Sequence, residues 1–272
     1  MTSDAEVHDR VRAIHDRVRE YYTAYYRDTL AIDEWRTLVE LRLQEERGER
    51  GRVARLQALV GSELLRGRVL NVGCGTGGFD VAAAETGARM VGIDEGERAL
   101  MICALKARNL DPAGRRGVAY VRAASEQLPF RDGVFDLVHC FSTIEHVRSV
   151  EETIREMVRV VRPGGAVYVN TPNAWSWWEG HYKVFWVPFL PRLAGKAYLR
   201  WVHRRPTRYL DTLRRLTPHR LAHALAAAGA GSLEFHDDAK PRELRGPLAA
   251  PLRLYYRLTG VTPFIEVVAW KR

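Results

Sequence analysis

Cysteine, lysine and long apolar runs are all scarce in this chain. Its three cysteines, Cys74, Cys103 and Cys140, are scattered through apolar stretches without metal-ligand spacing. That excludes a disulfide scaffold or a zinc ribbon and predicts reduced, buried thiols, as in a cytoplasmic protein. Lysine occurs only at positions 106, 183, 196, 240 and 271, so almost all of the 42 Lys+Arg are arginine. The net charge is +9 and the isoelectric point about 9.7. Such a balance leaves nucleic acid, anionic lipid or an acidic substrate open as partners, and arginine bias also follows from codon usage. No apolar run approaches the ~20 residues that a spanning helix needs. The acidic opening Met-Thr-Ser-Asp-Ala-Glu has no apolar core and does not read as a signal peptide. The expectation is a soluble cytoplasmic protein, at most peripheral to a membrane surface. With 272 residues, 46% hydrophobic and 28% charged, the chain can bury one large α/β core or two small ones.

Two textures follow one another. Residues 5–60 carry spaced apolar residues among charges and no proline, which predicts helix throughout. Residues 1–65 therefore read as an N-terminal helical extension. Within it Tyr21, Tyr22, Tyr25 and Tyr26 pair at i, i+4 on one face, suited to core packing or to a lid over a ligand. From residue 66 short β-rich runs alternate with helical stretches. Strands are expected at 69–72, 89–93, 118–121, 135–140 and 166–170, with helices at 79–86, 97–109 and 150–161 and a turn at 162–165. This alternation predicts βαβ units, a doubly wound parallel sheet and ligand binding at the strand C-termini. Thr217-Pro218-His219 opens a further helix as N-cap plus N1 proline, and strands follow at 232–236 and 264–270. Two segments break the pattern, 173–216 and 241–260. The first holds five of the seven tryptophans (Trp175, Trp177, Trp178, Trp186, Trp201) mixed with basic residues.

Asn71-Val-Gly73-Cys74-Gly75-Thr-Gly77-Gly78 follows a strand and opens a helix. Glycines let the backbone turn sharply and approach a ligand, while the helix N-terminus offers amide donors and a partial positive charge. Asp94 ends the next strand, 21 residues after Gly73, where a carboxylate can accept from both hydroxyls of a ribose. Gly73, Gly75 and Gly78 also satisfy G-x-G-x-x-G, so a nicotinamide enzyme is a competing reading at this point.

Downstream motifs separate the two. Val72-Gly-Cys-Gly-Thr-Gly77, Gly92-Ile-Asp94, Leu128-Pro-Phe130, Phe135-Asp-Leu-Val, Glu145-His-Val147 and Val161-Arg-Pro-Gly-Gly165 come in one order. In that order and spacing the chain resembles the class I methyltransferases that use S-adenosyl-L-methionine (SAM), in particular the small-molecule branch of quinone biosynthesis. The resemblance covers residues 66–172 and, more loosely, 217–272. It implies a Rossmann-like sheet of seven strands whose last is antiparallel. It also implies that Gly73, Gly75 and Gly77 face the methionine part of SAM, that Asp94 holds the ribose, and that Cys140 and Phe141 lie beside the cofactor. Asn71, Cys74, Glu95, Ser125 and Glu126 complete the expected cofactor set. Relatives commonly carry an aspartate two residues before the position of Glu126; Ala124 stands there, so the adenine contact falls to backbone or to Glu126.

SAM is already activated, so the chemistry needs alignment of the acceptor and a base for its proton. His146, after the fourth strand, and His181, in the tryptophan-rich insert, are the candidate catalytic residues. Glu145 and His146 alone make a poor metal site, and no metal is expected. The aromatic and basic inserts predict a cap over a bulky apolar, aromatic or lipid-linked acceptor, or a segment resting on anionic headgroups. Oxygen is the favoured methylated atom. The alternatives are an RNA methyltransferase, which the lack of an RNA-binding module disfavours, and a SAM-binding protein without transfer activity. DNA is not expected as a partner.

Overall fold

A computed structural model describes residues 4–110, 117–236 and 249–272. Seven strands form one twisted sheet: β1 (Arg68–Val72), β2 (Arg89–Asp94), β3 (Val118–Arg122), β4 (Phe135–Phe141), β5 (Val161–Pro172), β8 (Ala230–His236) and β9 (Phe264–Lys271). Their order is β3-β2-β1-β4-β5-β9-β8, parallel except for β9, which runs antiparallel to both its neighbours. The expected doubly wound architecture is thus the one observed. Val69, Leu70 and Val72 are all buried, as central parallel strands covered on both faces require. Helices α3 (Glu45–Val60), α4 (Ser62–Arg66) and α5 (Gly78–Ala84) cover one face of the sheet. Helices α7 (Val150–Val160) and α10 (Pro218–Ala227) cover the other. The side chain of Ser149 caps α7 by accepting from Glu152 N, and Thr217 caps α10 by accepting from Arg220 N.

Two elements differ from expectation. The helix expected over 5–60 is interrupted: α1 (Asp4–Thr23) passes into a π-helical turn (Ala24–Thr29), and α2 (Trp35–Leu43) starts only after a break. Leu30 and Ile32 are both buried in one cluster. Residues i and i+2 never share a helix face, so the helix must stop for both to enter the core. The expected turn at 162–165 lies inside β5 as a bulge. The pairing with β4 steps from Phe135↔Val161 to Leu137↔Ala166. Arg162 inside the bulge is held by Asp136 at 2.6 Å, and that carboxylate also accepts from Arg68 N at 2.7 Å.

The segment 173–216 folds as a hairpin, β6 (Trp178–Glu179) and β7 (Val184–Phe185), followed by α8 (Arg192–Trp201) and α9 (Arg208–Thr212). Tyr182, Val184, Trp186 and Leu199 of this insert share one apolar cluster with Tyr22, Tyr26, Leu30 and Val39 of the N-terminal helices. Cap and extension are one packed unit. Of the insert at 241–260, positions up to 248 lie outside the described residues, and α11 (Ala249–Thr259) follows. Among the described residues no helix is long and apolar enough to cross a membrane.

A buried polar link ties the N-terminal helices to the sheet. Glu45 of α3 accepts from Lys106 of α6 (Glu97–Leu110) at 2.5 Å and from the Thr76 hydroxyl of the glycine loop at 2.6 Å. Burial opposes its charge, but Lys106 and the hydrogen bonds outweigh that and hold its pKa below the ordinary value. Removing one partner of a buried pair strands the other, at a cost of about 3–5 kcal/mol. Lys106→Met should therefore lower the unfolding free energy by about 3 kcal/mol in chemical denaturation, and adding Glu45→Gln should recover part of it. A loss below about 1 kcal/mol would show that the pair does not hold the two units together.

Candidate functional site

A cavity of about 760 Å³ opens at the C-terminal edge of the parallel strands, between the glycine loop and the four tyrosines of the N-terminal helices. Tyr22 and Tyr26 stack at 5.7 Å, while Tyr21 meets Tyr22 edge-on. The tyrosines pack in the cap cluster, and all four also line the cavity.

The loop is shaped by its glycines. Gly73 has φ +73°, and a Cβ there would lie 2.2 Å from the Thr143 side chain. Both Gly73 N and Cys74 N donate to Ile93 O, which pulls the loop against the end of β2. Gly75 has φ +54°, with open space where a Cβ would point. Its amide donates to Asp94 Oδ2 at 3.0 Å, and Asp94 Oδ1 accepts from Gly96 N at 2.7 Å. One carboxylate thus fixes two loops and keeps lone pairs free for the cavity it lines.

The expected cofactor residues divide. Gly73, Gly75, Asp94, Glu95, Ser125 and Phe141 line the cavity; Asn71, Cys74, Gly77, Glu126 and Cys140 do not. Asn71 points beneath the loop, donating to Asp80 at 2.8 Å and meeting His139 Nδ1 at 2.8 Å. Burial pushes the Asp80 carboxyl up to about 8, and burial with nearby Arg52 pushes His139 down to about 3. This layer is a neutral platform. Cys74 and Cys140 are buried, and Gly77 faces Tyr120 and Cys103. Glu126 is turned the other way: its Oε1 accepts from Arg148 N and Ser149 N, anchoring the chain that enters α7.

Two arginines complete this end of the cavity, Arg42 and Arg52. The Arg52 guanidinium sits 3.9 Å from the centroid of the Phe141 ring and is held by Glu49 at 2.6 Å. Sequence reasoning missed Arg52 because it lies in a long charged helix where nothing local distinguishes it from other arginines.

The far end holds the histidines. His146 and His181 both line the cavity, with ring centroids 5.0 Å apart and planes at 83°. His181 Nδ1 is 2.8 Å from Glu179 Oε1, and Glu179 Oε2 accepts from Tyr182 N at 2.6 Å. The opposite nitrogen, Nε2, lies 3.6 Å from Glu145 Oε1. Burial works against a charged His181, but the bonds to Glu145 and Glu179 win and raise its pKa to about 10. For His146 burial is the largest effect and lowers the pKa, with cationic His181 adding to it against the pull of Glu145. The pair is thereby split into one charged and one neutral imidazole. Tyr209 joins them, its hydroxyl 3.5 Å from His146 Nε2 and 2.7 Å from Tyr25 Oη. Glu145 is 2% exposed; Oε2 accepts from Thr171 at 2.9 Å, while Oε1 faces both imidazoles, 3.6 Å from His181 Nε2 and 4.0 Å from His146 Nε2. Glu145, His146 and His181 offer ligand atoms within 4.8 Å of one another, a set the sequence presented only as an adjacent pair. A smaller cavity of about 80 Å³, lined by Glu145 and Glu179, shares Pro172 and His181 with the first and runs under the insert toward Trp186 and Leu216.

A methyltransferase-domain family model matches residues 70–169. The ubiquinone biosynthesis O-methyltransferase of Bordetella avium (strain 197N) is 30% identical over 221 residues, 80% of each chain. That of Rhizobium etli (strain CIAT 652) is 30% identical over 200 residues, 72% of this chain and 73% of the relative. Other alignments are shorter: with the enzyme of the same name from Aromatoleum aromaticum, 37% identity extends over 39% of this chain and 44% of the relative. Among solved structures, the [4+2]-cyclase SpnF shares the fold with a TM-score of 0.53 and 21% identity over 80% of each chain. An S-adenosylmethionine-dependent methyltransferase from Mesorhizobium loti does so with a TM-score of 0.50 and 20% identity over 75% of this chain and 90% of that one. A fold shared with a cyclase does not by itself fix a reaction. The motifs in sequence order, the seven-stranded sheet with its antiparallel β9 and the long alignments agree, and the chain belongs to the class I SAM-dependent methyltransferases.

Proposed function

We propose that this chain transfers the methyl group of SAM to a hydroxyl of a bulky apolar, aromatic or lipid-linked small molecule. The observation that carries the reading is one continuous cavity with the glycine loop and Asp94 at one end and His146 and His181 at the other. Its volume, about 760 Å³, lies within the range of small-molecule sites, about 300 to 1,000 Å³. The residues present fit the cofactor. Open space at Gly75 would admit the ligand against the backbone, Asp94 at the cavity wall would accept from a ribose, and Arg52 would offer a cation to a carboxylate. Oxygen as the acceptor atom is supported by the names of the relatives from Bordetella avium and Rhizobium etli.

When bound, SAM supplies a methyl group already activated on a sulfonium. The protein's work is then alignment and proton removal. Neutral His146 takes the hydroxyl proton at Nε2, and charged His181, oriented by Glu179, stabilises the oxyanion that attacks the methyl carbon. His146 would then carry the hydroxyl proton away, leaving the acceptor oxygen aligned for the methyl group that bound SAM would supply.

A second mode is favoured by the convergence on Glu145 Oε1 of both imidazoles, His181 Nε2 at 3.6 Å and His146 Nε2 at 4.0 Å. Glu145, His146 and His181 would together hold a divalent cation and present it to the acceptor oxygen. Chelation separates the two. Turnover that survives exhaustive chelation supports proton transfer to His146; loss restored by a divalent ion supports the metal mode.

Two substitutions test the ends of the cavity independently. Arg52→Gln should weaken SAM binding about tenfold in calorimetric titration, the worth of one charge-assisted contact, with little change in the acceptor's KM. His146→Ala should leave SAM affinity unchanged and lower kcat by about 10²–10⁴-fold. Full turnover of His146→Ala on the true acceptor would reduce that residue to a structural role.

A further inference from the structure

Residues 180–210 contain no aspartate or glutamate, yet they carry Lys183, Lys196 and five arginines. Within this stretch α8 presents an inverted surface. It buries Gly195 and Leu199 against the cap and turns Leu193 (82% exposed), Ala197 and Trp201 (76% exposed) to solvent. Positions 193, 197 and 201 recur every four residues, so they form one stripe along the helix. Phe189, just before α8, and Val202, just after it, are also exposed, at 64% and 61%. Arg200, Arg204 and Arg208 are exposed beside the stripe and have no acidic partner among the described residues. Across the insert α11 repeats the arrangement. It buries Leu252 and Tyr256 and exposes Leu254 and Leu258 beside Arg253 and Arg257.

A surface helix ordinarily turns its apolar residues inward. Here the exposed side chains are large, aliphatic or aromatic; Asp211 pairs with Lys196 and Arg192, and the cations left over, Arg200, Arg204 and Arg208, are unmatched by acids among the described residues. We infer that α8 and its flanks dock on an anionic lipid surface, with Leu193 and Trp201 entering the headgroup boundary and the arginines meeting lipid phosphates. The hairpin that leads into α8 contributes His181 and Lys183 to the cavity, so docking brings the acceptor end of the site to the bilayer. The exposed aliphatic stripe argues against nucleic acid, where stacking aromatics and phosphate-binding cations would lead. Docking does not rest on the proposed reaction, because none of Phe189, Leu193, Trp201 and Val202 lines either cavity.

The test is co-sedimentation of the full chain with vesicles of phosphatidylcholine alone and of phosphatidylcholine with phosphatidylglycerol, at low and high salt. The chain should bind the phosphatidylglycerol vesicles, and salt should weaken that binding. Leu193→Asp with Trp201→Ser should lower vesicle affinity about tenfold or more, and Arg200→Glu with Arg204→Glu should abolish the salt dependence. Unchanged SAM affinity and unfolding midpoint in both variants show that the fold is intact. Several results would overturn the inference. They are no partition onto anionic vesicles, equal binding after the Leu193 and Trp201 changes, or self-association lost in Trp201→Ser without any vesicle binding, which would assign the face to a second copy. Retention on single-stranded RNA without vesicle binding would likewise overturn it.

Discussion

The left-handed turn at Gly73 is the constraint on which the site depends. The chain leaves β1 there with φ +73°, and the space a Cβ would need is filled by Thr143 from the end of β4. Two neighbouring strands thereby close against each other at the edge where a parallel sheet presents its ligand crevice. Once the loop is turned, Gly73 N and Cys74 N reach Ile93 O, and Gly75 N reaches Asp94. Three strand ends are drawn into one rim.

The rest of the molecule encloses that rim. The N-terminal helices and the tryptophan-rich insert are far apart in sequence but share one apolar cluster, which encloses Tyr182 completely. The Glu45–Lys106–Thr76 link anchors this roof to the glycine loop. The roof also carries chemistry: Glu179 and His181 come from the insert, Tyr25 from α1's continuation, and they meet Glu145 and His146 from the sheet. Charge separation between the two histidines is a product of this meeting, since Glu179 and Glu145 both face His181.

What was legible in the sequence was what local pattern controls. Buried parallel strands read as continuous apolar runs, and Thr217 read as a cap because capping is a contact between near neighbours in the chain. The break at Leu30 was not legible, because it satisfies the burial of two residues against partners elsewhere in the chain. The loop itself was over-read: glycine spacing marks the turn, but it does not say that Gly77 faces Tyr120 or that Asn71 supports the loop from beneath. Glu126 was read as facing a ligand, whereas its nearest unsatisfied donors are the amides entering α7. Arg52 and Glu179 escaped notice because their roles depend on tertiary placement alone.

The central claim is that the glycine loop, Asp94 and Arg52 form a cradle for SAM. Its most direct test is calorimetric titration of the protein and its Asp94→Ala variant with SAM, S-adenosylhomocysteine and NAD. The account predicts micromolar binding of both adenosyl ligands, none of NAD, and a loss of about tenfold or more in the variant. Binding of NAD alone, or SAM affinity indifferent to Asp94, would contradict it.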